Sequence, residues 1–192
     1  MFSKTALFVA LQAGLAFAGN SIVSNLCSYD VWVTSVGGNH ETAMTRIPAR
    51  TQYTEAFYQT GTSLKISKTD TIVNGEQTQF EYTIAGGKIW YDISFVNCAN
   101  GESATSCPGH AEGVAMHGSS SGCGTIDCQA GSYCPTQAYY VPQPLLTLGI
   151  KEPVFDCPTS VGSNVDLYMT ICSGETALKR SIAGRVAVDL EG

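Results

Sequence analysis

The stretch QFEYTIAGGKIWYDISFV, residues 79–96, decides the fold class. Its two runs, 79–84 and 88–96, are rich in β-branched and aromatic side chains, which suit a pleated, half-buried surface. Gly86-Gly87 between them supplies the backbone freedom that a tight hairpin turn demands. The segment reads as an antiparallel hairpin. Toward the N-terminus, residues 20–36 carry Ile22, Val23, Tyr29, Val31, Trp32, Val33 and Val36, and Gly37-Gly38-Asn39 marks a turn. Residues 53–58, 64–67 and 71–73 read as further strands, with Asn74-Gly75 as a second hairpin signal. Toward the C-terminus, residues 144–150 and 166–171 complete the set. Strands at such short spacing predict a mostly β, antiparallel sandwich or barrel.

Residues 97–133 are rich in Gly, Ser and Cys and poor in large apolar side chains. They are expected to be loops ordered by disulfides, with a short helix over 111–116. The chain has eight cysteines, at 27, 98, 107, 123, 128, 134, 157 and 172. An even count in an exported chain implies four disulfides. Zinc is disfavoured, because Cys123, Cys128 and Cys134 form no CxxC knuckle and His110 and His117 stand outside finger spacing.

Export itself is read from the first residues. Lys4 precedes an apolar run over 5–17, and Ala16-Phe17-Ala18 is a small-x-small cleavage site. Residues 1–18 are therefore expected to be a signal peptide cut after Ala18; the run is too short to span a bilayer. The formal charge of -6 becomes -7 when Lys4 is removed. Such a balance disfavours nucleic acid and anionic membranes. No Asn-x-Ser/Thr sequon occurs. Residues 173–192 follow the last cysteine and are expected to form a tail, in which Lys179-Arg180 is a dibasic pair open to cleavage after Arg180.

Three segments, in order, resemble the thaumatin-like pattern. IVSNLCSYDVWVTSVGG (22–38) is similar to the family's first hairpin, with its Asn-x-Cys before an aromatic strand. FEYTI (80–84) and WYDISFVN (90–97) are similar to the acidic hairpin. YCPTQAYYVPQ (133–143) and FDCPTSVGSNVDLYMTIC (155–172) resemble the late segments that carry the final cysteines. The spacing resembles that of the small fungal members, including the yeast-phase-specific (Bys) secreted proteins. The resemblance implies a thaumatin-like antiparallel β-sandwich over residues 19–172 with a disulfide-rich loop region. It also implies disulfide pairings of Cys27 with Cys172, Cys98 with Cys157 and Cys107 with Cys134, leaving Cys123 with Cys128.

The same resemblance implies an acidic cleft. Glu81 falls on the family's Glu and Asp92 on its first Asp, a pair suited to acid–base work on a glycosidic bond. Asn97 stands where the family has its next Asp; it can hydrogen-bond a sugar hydroxyl but cannot act as a base. The late Asp has no counterpart, since the chain reads Pro142-Gln143-Pro144, and Arg46 and Arg50 are the nearest arginines upstream. Tyr133, Tyr139 and Tyr140 are candidates for stacking on a sugar ring, or for core packing. Ser119-Ser120-Ser121 beside His117 lacks a nucleophile elbow. The plain alternative is that Glu81 and Asp92 are solvated strand residues. Three functions stay open. The first is a secreted, non-enzymatic protein that binds cell-wall polysaccharide, such as β-glucan, or a host surface component. The second is a weak endo-β-1,3-glucanase using Glu81 and Asp92, and the third a structural cell-wall antigen without a discrete ligand. The chain is expected to be extracellular and monomeric, with no cofactor, no metal and no membrane or nucleic-acid partner.

Overall fold

The computed structural model describes residues 19–162 and 164–175; the expected signal peptide and Lys179-Arg180 lie outside the described residues. In chain order the described strands are β1 (Asn20–Asn25), β2 (Val31–Gly37), β3 (His40–Glu41), β4 (Thr45–Ile47), β5 (Gln52–Ala56) and β6 (Thr62–Ser67). They continue with β7 (Thr78–Ala85), β8 (Lys88–Ser94), β9 (Val114–Gly118), β10 (Thr125–Cys128), β11 (Phe155–Cys157) and β12 (Leu167–Ile171). One sheet has the order β10-β9-β12-β1-β5; the other runs β11-β8-β7-β6-β2-β3, with β4 also on β2. β1 and β12 are parallel and the other pairings between these strands are antiparallel. The chain is a mostly β sandwich.

Period-two burial explains why these residues form strands. β1 alternates half-buried and buried positions along its length, and β8 buries Ile89, Tyr91 and Ile93 on one face. Phe80, Leu64 and Ile66 from the neighbouring strands join Val23, Met116, Leu167 and Met169 in one buried cluster. Each such side chain contributes about 1.5–3 kcal/mol of burial. Gly86 (φ 60°) and Gly87 (φ 71°) close the β7–β8 hairpin, the geometry of a primed turn.

Elsewhere the structure differs from the sequence expectation. Residues 144–150 form a 3-10 turn at Leu145–Leu148 instead of a strand; Pro144 has no N–H to donate, and Gly149 ends the turn at φ 74°. Only Leu145 of that turn is buried. Residues 71–73 are not a strand either: Val73 is half exposed and leads into the turn at Asn74 (φ 52°) and Gly75 (φ 74°). The expected helix at 111–116 is a 3-10 turn, His110–Glu112, followed directly by β9. There Val114 and Met116 alternate inward and pair with β10 and β12, so period two overrides the local Gly/Ser composition.

All eight cysteines are paired: Cys27–Cys172, Cys98–Cys107, Cys123–Cys157 and Cys128–Cys134. The first was expected, and the other three correct the expected Cys98–Cys157, Cys107–Cys134 and Cys123–Cys128. Register supplies the reason. Cys157 lies opposite Ile89, at the start of β8, whereas Cys98 follows the end of that strand. At about 3.3 Å per residue, Ile89 to Ser94 alone spans roughly 17 Å, beyond the reach of a disulfide. Cys98 and Cys128 each bridge within their own loop instead, and Cys123 crosses to β11.

Candidate functional site

Alternation that turns Phe80, Tyr82, Tyr91 and Ile93 inward turns Glu81, Trp90 and Asp92 to the outer face of the second sheet. Glu81 and Asp92 are directly opposed across β7 and β8, and Glu81 faces Ser63 on its other side. Val154 precedes Phe155, whose partner is Tyr91, so it continues the same row beside Asp92. A groove of about 460 Å³ lies over this row, lined among others by Val36, Ser63, Glu81, Trp90, Asp92 and Val154.

The carboxyl of Asp92 is largely removed from water. Burial, then the charge of Glu81, then a hydrogen bond with Glu81, hold its pKa well above the usual carboxylate range. A carboxyl opposed by another across adjacent strands is disfavoured in its charged form. Oδ1 of Asp92 and Oγ of Ser63 are buried and have no partner among the described residues. No Lys or Arg lines the groove among the described residues; Lys88, at its margin, is bound to Asp156 at 2.9 Å and sits 4.9 Å over the Trp90 ring, Arg46 pairs with Asp30, and Arg50 with Glu175.

Tyr139 joins this face. Its backbone N–H donates to the carbonyl of Ile93 (2.9 Å) and its carbonyl accepts from Phe95 (2.8 Å), extending the sheet beside Ser94. Burial, then the nearby Glu152 carboxylate and the charges of Asp92 and Glu81, push its phenol pKa up. Tyr140, one residue on, faces the core and is 5% exposed. Its hydroxyl lies 3.1 Å from Nε2 of His110, and Tyr133 packs edge-on against its ring. Asn97 is exposed in the turn after β8, with its carbonyl against Gly75, and does not line the groove. The structure thus brings Glu81 and Asp92 together in the groove, sets Tyr139 beside Ser94 outside its lining, and leaves Asn97 and Tyr140 apart. His117 stacks on Tyr168 and Ser119 Oγ accepts from the Asp166 N–H, so neither is placed as a nucleophile–base pair.

Residues 8–173 match Bys1, the Blastomyces yeast-phase-specific protein family. The chain belongs to that family. A relative named antigenic thaumatin-like protein, from Arthroderma benhamiae, is 24% identical over 178 residues, covering 91% of this chain and 82% of the relative. Among solved structures, the protein elicitor MoHrip2 from Magnaporthe oryzae superposes with a TM-score of 0.59 at 21% identity, over 81% of this chain and all of that one. The thaumatin-like xylanase inhibitor TLXI gives 0.50 at 11% identity, over 79% and 98%. At these identities the solved structures establish the thaumatin-like fold for this member of the yeast-phase-specific family.

Sequence reasoning missed Ser63, Trp90, Glu152 and Val154. Trp90 was within reach, since it lies two residues before Asp92 on the same strand and so on the same face. Ser63 arrives through a pairing between strands distant in sequence, and Glu152 and Val154 from a loop; none of the three has a local signal.

Proposed function

We propose that the mature chain is a secreted, non-catalytic binding protein that holds a neutral polysaccharide, of the cell wall or of a host surface, in the groove over Glu81 and Asp92. The opposition of Glu81 and Asp92 across β7 and β8, in a groove that Trp90 also lines, carries this reading. A glycosidase needs an ionised carboxylate as nucleophile or base beside its acid. Burial and the neighbouring Glu81 favour the protonated form of Asp92, which is a poor nucleophile or base. The protonated Asp92 can donate to and accept from sugar hydroxyls, beside the flat surface of Trp90 in the same groove. Four disulfides suit an oxidising compartment outside the cell. The names elicitor and inhibitor, borne by proteins of the same fold, agree with action by binding.

Retention on insoluble β-1,3-glucan is the test. The wild type is expected to be retained, Glu81→Gln and Asp92→Asn to be retained less, and soluble laminarin to release no reducing sugar. Equal retention of both variants removes the groove from the account. Sugar release that both variants lose would make the protein a glucanase. Absence of retention and of release leaves the structural-antigen reading.

A further inference from the structure

A second groove, of about 420 Å³, adjoins the first. Val154 lines both, as an exposed apolar saddle between them. Two further links cross the boundary. Glu152 lines the second groove, and its charge, like those of Asp92 and Glu81 in the first, bears on the Tyr139 phenol. Lys88 binds Asp156 of the second groove at 2.9 Å while lying over the ring of Trp90 in the first. The floor of the second groove offers Phe155 and Pro158 as apolar surface, with Thr136, Lys151 and Glu152 as hydrogen-bonding groups. A few apolar surfaces with sparse polar groups are the lining that orients a ligand.

Resting on the reading of the first groove as a polysaccharide site, we propose that the two grooves form one continuous site for a single neutral polysaccharide chain several sugar rings long. The chain crosses the Val154 saddle, with one stretch over Glu81 and Asp92 and the next over Phe155 and Thr136. Length follows from the strands. From Ser63 on β6 to Val154 beside β8, the row crosses four strands, about 14 Å at roughly 4.8 Å per strand. A di- or trisaccharide fills the first groove; a longer chain is needed to reach the second.

The experiment is calorimetric titration with β-1,3-glucan oligosaccharides from the disaccharide upward. Wild type is compared with Thr136→Trp and Lys151→Trp. Both positions are exposed, so the indole fills the second groove without disturbing the core, and unchanged melting temperatures check this. Wild-type affinity should rise by about tenfold or more with length, the return of one added well-made contact, and then level off. Both filled variants should bind the short oligosaccharides as the wild type does and lose the gain with length. The same gain in both variants, or a wild-type affinity flat with length, overturns the continuous site while leaving the first groove intact. If no oligosaccharide of any length binds, and insoluble glucan retains nothing, the reading of the first groove fails and this proposal with it.

Discussion

The Tyr140 hydroxyl lies 3.1 Å from Nε2 of His110, and both rings are buried against the edge of Phe95. Nε2 is also 3.1 Å from the carbonyl of Ser132, which can only accept, so Nε2 carries the imidazole proton. Nδ1 is left buried and unpartnered among the described residues. A second proton there would have no acceptor. Burial accordingly depresses the His110 pKa below its ordinary 6.5, against the opposing pull of the Ser132 carbonyl and the charge of Glu112. The unfolded chain then binds more protons than the folded one below about pH 6.5, so the stability contribution of this site is present above that pH and lost as pH falls. His110→Gln keeps an N–H donor and removes the titration. Chemical denaturation from neutral pH down to pH 4 should show a flatter profile for the variant than for the wild type; parallel profiles would refute the assignment.

Asp92 gives the opposite sign. Its folded pKa lies above the ordinary 3.8 because burial and Glu81 penalise the charge. The folded state binds the extra proton, so its contribution is full below about pH 4 and declines as pH rises through the folded pKa. Asp92→Asn should be neutral or stabilising at pH 7 and above, and should flatten the alkaline side of the profile. A variant that is destabilised at alkaline pH relative to wild type would show that other groups stabilise the ionised Asp92.

The disulfides should differ in worth according to the loop each closes. Cys27–Cys172 spans 145 residues and ties the ends of β1 and β12, which already pair at Asn25 and Ile171. Chain entropy assigns such a closure about 5 kcal/mol, and about 2 kcal/mol to Cys128–Cys134, which spans 6. Paired Cys→Ala variants should therefore lose far more melting temperature at the first bridge than at the second. Equal losses would mean that native packing around the short loop, and not loop closure, sets the scale.

Local signals made the acidic hairpin legible: β-branched and aromatic runs gave β7 and β8, and Gly86-Gly87 gave their turn. The same hairpin placed Glu81 against Asp92, because its tight turn fixes the register. Cys27–Cys172 was reachable through the resemblance. The inner disulfides were not, since they depend on β11 pairing with β8, and Phe155–Cys157 is too short to announce itself as a strand. β9 and β10 were hidden by the Gly and Ser around them; only burial against β12 shows their alternation. The turn at Leu145–Leu148 misled for the converse reason, as its apolar residues mimic a strand while two of its leucines face solvent.

Asn25 shows how a legible motif acquires a physical role only in three dimensions. Asn25-Leu26-Cys27 was part of the family resemblance, and the side chain proves fully buried. Its Nδ2 donates to the carbonyls of Tyr29 (3.0 Å), Ile47 (3.0 Å) and Pro48 (3.2 Å), and Oδ1 accepts from the Cys27 N–H (3.0 Å). One amide thus gathers the loop after β1, the end of β4 and the approach to the long-range disulfide. Asn25→Ala should cost roughly 3 kcal/mol, because it strands a buried N–H and several carbonyls at about 1–3 kcal/mol for each group left unsatisfied. Asn25→Asp should cost more at neutral pH, since it keeps the volume but turns a carboxylate oxygen toward three carbonyl oxygens with no counter-charge. Lowering the pH should restore part of that loss, because a protonated carboxyl regains one donor, whereas the alanine variant should show no such recovery relative to wild type. Urea denaturation of the three proteins at pH 7 and pH 4 reads this directly. Equal stability of the two variants at pH 7 would show that donation by Nδ2 does not organise the loop.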